Sequence, residues 1–184
     1  MSQSDLLIHT IKALSESGNQ YMLTGSLVSS MQGEPRATHD IDIVVEATAE
    51  SIEAFLEMFP LEEYYYDSGA AKKAMAEGGM FNILSATGDK VDIWALVDSE
   101  FDESRFSRRQ SIEFLGYKVQ VSSPEDTILM KLLWSKQSGG SEKQLFDAAK
   151  VYELQQEILD KGYLETWISK LKLKDQYAEL QRFL

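Results

Sequence analysis

The chain contains no cysteine, and that single absence removes disulfides, thiolate zinc sites and cysteine nucleophiles together. A reducing compartment is the simplest reading, so a cytoplasmic protein is expected. Proline is scarce, three in 184 residues, which excludes collagen-like and Pro-rich linker architectures. No run of about 18 apolar residues occurs, so no membrane span is expected. The opening "MSQSDLLIHTIKAL" has neither the basic start nor the long apolar stretch of a signal peptide. Positive charge is also in short supply, 18 Lys and Arg against 30 Asp and Glu, for a formal net charge of -12. A surface of that sign repels phosphate backbones, so any nucleic-acid partner would have to meet a local basic patch. Lys161, Lys170, Lys172 and Lys174 offer one such area, whose plainer reading is a solvated helix face.

What is present is ordinary globular material, 43% hydrophobic and 26% charged, enough for one full domain with a real core. "SDLLIHTIKALSESGN" places Leu7, Ile11 and Leu14 at helical spacing, with Ser4 or Asp5 as a cap and Gly18 as a stop. "YMLTG" reads as a short strand ending at Gly25, and "SLVSSMQG" as a short helix beginning at Ser26 or Leu27. "HDIDIVVEA" is the next strand, and "SIEAFLEMF" an amphipathic helix stopped by Pro60. A short glycine-bounded helix, "GAAKKAMAEGG", precedes two strands joined near Gly88, and a second hairpin turns at Gly116. After Pro124 only helical patterns remain. The spacing predicts an α/β (α+β) fold, a mixed β-sheet with flanking helices over 1–122 and a C-terminal helical region over 123–184 packed on it.

Chemistry concentrates at "DIDIVV". On a strand, residues i and i+2 share a face, so Asp40 and Asp42 project side by side with Cα atoms about 6 to 7 Å apart. Ile41, Ile43 and Val45 take the other face. Two like charges so close need a cation between them or a proton on one of them. Oxygen ligands of this kind suit Mg²⁺, which takes one or two protein carboxylates and completes its shell with water and phosphate oxygens. Asp92, alone in the apolar strand "KVDIWAL", is the natural third carboxylate, because burying it unpaired would be costly. Upstream, Gly25 and Ser26 offer close backbone approach, a hydroxyl and the open N–H groups of a helix start, all suited to a triphosphate.

The series "GSLVSSMQGEPRATHDIDIVV" followed by "VDIW" resembles the nucleotidyltransferase superfamily typified by DNA polymerase β. Its motif is Gly-Ser, then D-x-D, then a third carboxylate on an adjacent strand. The run from Arg36 to Asp42 and the segment "SPEDTILMKLLW" look more narrowly like the bacterial minimal nucleotidyltransferases that include the abortive-infection type II toxins. The resemblance covers roughly residues 20 to 150. It implies two Mg²⁺ ions between the aspartates and a nucleoside triphosphate, with attack on the α-phosphate and departure of pyrophosphate. Asp40 and Asp42 would bind both metals. Asp92 would hold the catalytic one and take the acceptor's proton. Ser26 and Gly25 would grip the terminal phosphates, Lys131 would neutralise phosphate charge, and Asp147 would orient that lysine. The toxin-like relatives imply an antitoxin partner.

Other residues invite competing readings. Arg36 could reach a triphosphate oxygen, although an exposed loop arginine is the commoner case. Lys131 lies among the apolar positions Ile128, Leu129, Leu132 and Leu133 of its helix and could snorkel to the surface instead. His39 is turned from the aspartates by alternation. Trp94, Trp134 and the run Tyr64, Tyr65 and Tyr66 could stack a base but read first as core or rim. The expected activity is Mg-dependent transfer of a nucleoside monophosphate to an acceptor hydroxyl on tRNA, a protein or a small molecule. The alternative is a non-catalytic nucleotide-sensing or partner-binding protein that retains the fold.

Overall fold

The computed structural model describes residues 2–184, and two compact units emerge from its internal contacts. The first comprises the chain up to Thr24 together with Thr38–Val121 and holds the sheet. Its strands are β1 (Gln20–Thr24), β2 (Asp40–Glu46), β3 (Tyr64–Tyr65), β4 (Met80–Ser85), β5 (Lys90–Ala95), β6 (Gln110–Phe114) and β7 (Tyr117–Val121). They line up in the order β3-β4-β5-β2-β1-β7-β6. The β2–β5 and β1–β7 pairs are parallel and the others antiparallel, which makes the sheet mixed, as expected.

One face of this sheet is uniformly apolar. Ile41, Ile43, Val45, Val91, Ile93 and Ile83 are buried at alternate positions of β2, β5 and β4, the period-2 signature of a packed face. Helices α1 (Gln3–Glu16), α3 (Ala49–Leu56) and α4 (Ser68–Glu77) supply the other half of this core through Leu7, Ile11, Leu14, Ile52, Phe55 and Ala71. An aromatic cluster locks the arrangement: the His9 ring of α1 stacks on Tyr64 of β3 at 5.7 Å and meets Phe59 edge-on at 4.7 Å. The opposite face is only partly covered, where Phe106 of α5 (Glu100–Ser107) packs on Met22 and Val44.

Two local readings need correction. The first helix is capped by Ser2, not by Ser4 or Asp5: its side chain accepts from the Asp5 N–H, while the Asp5 carboxylate accepts from the Ser2 N–H. That reciprocal pair satisfies two orphan donors and starts the helix ahead of the Ser4 or Asp5 expected. The tyrosine run also contributes a strand, β3, in which Tyr64 is buried and Tyr65 is exposed.

The second unit, Gly25–Ala37 with Ser122–Leu184, has helices and no strand among its described residues. It holds α2 (Gly25–Gln32), α6 (Pro124–Gln137), α7 (Glu142–Gln155), α8 (Lys161–Lys170) and α9 (Lys174–Leu180), with a closing 3-10 turn. Ser123 caps α6 and Pro124 opens it, where a missing N–H costs nothing. Helices α6 and α7 pack on each other, and Ile128, Leu129, Leu132, Leu145, Ala148 and Ala149 on them are buried. Among the described residues no helix is long and apolar enough to cross a membrane.

Candidate active site

Register decides which carboxylates meet. In the parallel β2–β5 pair, Asp40 stands opposite Lys90 and Asp42 opposite Asp92. The four side chains therefore share the face that the apolar core does not use. Thr24 joins them from β1, opposite Asp42, and Asn82 from β4, opposite Asp92. Asp40 is exposed, Asp42 half-buried and Asp92 buried, so the row descends into the sheet. Trp94, half-exposed two residues beyond Asp92, donates from its indole Nε1 to Asp42 Oδ1 at 3.3 Å. It is neither core nor bystander.

Among the described residues no three His or acidic side chains stand close enough to hold a metal ion as they are. A cation of the chain's own stands there. The Lys90 ammonium lies 2.7 Å from Asp92 Oδ2 and 3.6 Å from Asp40 Oδ1. The hydrogen bond to Asp92 chiefly raises its pKa above the ordinary lysine value, against the pull of burial and with help from both carboxylate charges. Asp92 Oδ1 is buried with no hydrogen-bond partner among the described residues. An all-oxygen donor set with a bare, buried carboxylate oxygen fits a hard divalent cation such as Mg²⁺.

In the helical unit a second polar cluster is gathered. Asp147 of α7 accepts from Arg36 Nε at 3.0 Å, from Arg36 Nη2 at 2.7 Å and from Lys131 Nζ at 2.7 Å. Ser26 Oγ in turn accepts from Arg36 Nη2 at 2.9 Å and from Lys131 Nζ at 3.4 Å. Lys131 is only 1% exposed, so it does not snorkel to a surface. Arg36 is likewise no idle loop residue. Gly25, at φ +72°, makes the left-handed turn that starts α2 immediately before Ser26.

The electrostatics of this cluster follow from two cations sharing one carboxylate. Burial pushes Asp147 up, but the hydrogen bonds and charges of Arg36 and Lys131 outweigh it and hold the carboxyl below its ordinary value. For Lys131 the balance reverses: burial pulls the ammonium down and Asp147 only partly restores it, with Arg36 repelling. The carboxylate's charge is thus secured by its neighbours, whereas the buried lysine's is left partly uncompensated. One excess positive charge beside a helix start is an anion-binding arrangement.

The sequence-predicted residues thus fall into two sets: Asp40, Asp42 and Asp92 on one sheet face, and Gly25, Ser26, Arg36 and Lys131 with Asp147. His39 is exposed ahead of β2. Lys90, Asn82 and Thr24 were missed, and Trp94 was named only as a base-stacking or core residue, not as a partner of Asp42. For Lys90 and Trp94 the signal was available, since Lys90, Asp92 and Trp94 are spaced by two on one strand.

No protein-family model matches the chain, and no curated protein matches it in sequence. Solved structures do match in three dimensions. ANT(2")-Ia in complex with adenylyl-2"-tobramycin superposes with a TM-score of 0.62 at 13% identity, over 94% of this chain and 98% of that one. The lincomycin-bound lincosamide antibiotic adenylyltransferase LnuA gives 0.54 at 15% identity, over 80% and 95%. An antigenic nucleotidyltransferase-like protein from Paracoccidioides brasiliensis gives 0.56 at 18% identity, over 95% and 91%. The chain has the nucleotidyltransferase fold.

Proposed function

We propose that the protein is a Mg-dependent nucleotidyltransferase that moves a nucleoside monophosphate from a nucleoside triphosphate to the hydroxyl of a small molecule. The observation that carries the reading is the β2–β5 register, which puts Asp42 opposite Asp92 on the face away from the apolar core, with a buried Asp92 oxygen that has no hydrogen-bond partner among the described residues. Carboxylates placed on one face at this register repel one another and favour a cation between them.

In this reading Asp40, Asp42 and Asp92 would hold the metal. When bound, magnesium would neutralise the developing charge of the transferring phosphoryl group and align attacking and leaving oxygens. Asp92 takes the proton from the acceptor hydroxyl as it attacks the α-phosphorus, and pyrophosphate leaves. Ser26, with the N–H groups at the start of α2, binds phosphate oxygens. Arg36 and Lys131 supply the compensating positive charge, and Asp147 keeps both oriented. A small acceptor is favoured over a nucleic acid by the net charge of -12. It is also the acceptor class in two of the structures that share the fold, tobramycin and lincomycin.

The test is transfer of label from α-labelled triphosphates to a panel of hydroxylated acceptors, including tobramycin, lincomycin and bulk tRNA. Wild type should label a small acceptor in a magnesium-dependent way. Asp92→Asn should lower turnover by about two orders of magnitude or more, in line with loss of a general base together with a metal ligand. Labelling of tRNA alone would overturn the acceptor class. Undiminished transfer by Asp92→Asn would overturn the assignment of the residue.

A further inference from the structure

Lys90 begins β5, opposite Asp40 and one alternation before Asp92, on the same face as both. Its bridge is asymmetric. The Asp92 side chain is 9% exposed, whereas those of Lys90 and Asp40 are 35% and 62% exposed. One end of the pair is therefore anchored in the sheet and the other opens to solvent. Lys90 also satisfies only one oxygen of Asp92, leaving Oδ1 bare. A buried carboxylate compensated on one side only is a costly arrangement unless something else completes it at another stage. Without a cation the face would hold three carboxylates against one another, which opposes folding.

We propose that Lys90 is a resident counter-ion: its ammonium neutralises Asp92 and Asp40 when no divalent ion is bound, and moves out to solvent when one is. The inference rests on the reading of the three aspartates as metal ligands. Divalent-ion binding is then an exchange of one cation for another. A lysine suits this role because its compact charge rides on a flexible four-carbon stem, unlike the rigid guanidinium fork. Its partial exposure gives it a route outward. Two consequences follow. The sheet keeps its register with the metal gone, and free divalent ions bind weakly, since each must displace an ammonium. The metal then binds far better together with triphosphate oxygens than alone.

The experiment titrates Mn²⁺ into the full chain without nucleotide, reading free ion by electron paramagnetic resonance, for wild type and Lys90→Met. Melting is followed in EDTA and in Mn²⁺. The variant should bind Mn²⁺ about tenfold more tightly, as expected when a competing cation is removed. It should also melt lower than wild type in EDTA and gain more from Mn²⁺. Equal or weaker Mn²⁺ binding by the variant, with wild type still binding, overturns the role of Lys90 and leaves the carboxylate reading intact. Absence of Mn²⁺ binding in both overturns the carboxylate reading and this inference with it. Should Lys90→Met not fold, wild type gives the answer by itself. The ¹⁵N-lysine ammonium resonance, assigned with Lys90→Arg, should lose its protection as Mg²⁺ saturates the protein, and a resonance unchanged at saturation overturns the exchange.

Discussion

Asp147 accepts three hydrogen bonds from two cations, and its charge holds Arg36, Lys131 and, through them, Ser26 in one cluster. Its folded pKa lies below the ordinary 3.8 because those cations outweigh burial. A depressed carboxyl contributes stability that is fully present above its unfolded value and is lost as pH falls through the folded value. Urea denaturation at pH 7 and at pH 3 should therefore show a steep acid loss in wild type. Asp147→Asn should flatten it, at a cost of about 3 kcal/mol at pH 7, since Lys131 is then buried without its anion. An unchanged acid limb in the variant would contradict this. Local pattern does not announce this cluster, since Arg36 and Asp147 lie 111 residues apart, and only the family resemblance set Asp147 beside Lys131. The common face of Asp40 and Asp42 was legible, because strand period alone fixes it, whereas Asp92 joins it through the β2–β5 register. Lys90 shares the spacing of Asp92, but its role was not singled out, since a lysine at a strand start is usually an exposed one.

Elements were legible where periodicity or a breaker marked them and illegible where a tertiary contact decided. The two-residue β3 is too short to carry a pattern and exists because Tyr64 fits the aromatic core beside His9 and Phe59. The end of α2 shows the same dependence. At Gly33 a Cβ would come within 2.9 Å of the Val151 backbone N and 3.0 Å of the Ser29 carbonyl O, atoms that cannot rotate away. Gly33 thus serves close approach of α7. Gly33→Ala should cost about 1 to 3 kcal/mol, seen as a lower urea midpoint at unchanged slope. Gly162→Ala, where the nearest atom is a side-chain oxygen at 3.5 Å, should stay within about 0.5 kcal/mol. Equal costs at the two sites would refute the packing argument.

Across the whole molecule, the mixed α/β class followed from strand and helix alternation, but the strand order did not. Placing β1 between β2 and the late strand β7 requires pairing Leu23 with Val121, a contact no local signal announces. The net charge of -12 acts at this scale too, setting the carboxylate row and the cationic cluster against an acidic background. The most direct check of the account is calorimetric titration of each of the four nucleoside triphosphates, with and without Mg²⁺, into wild type and the Asp40→Ala, Asp42→Ala double variant. The account predicts that wild type binds at least one triphosphate only when Mg²⁺ is present and that the double variant loses this binding. Triphosphate binding that ignores both magnesium and the loss of the two aspartates would contradict it.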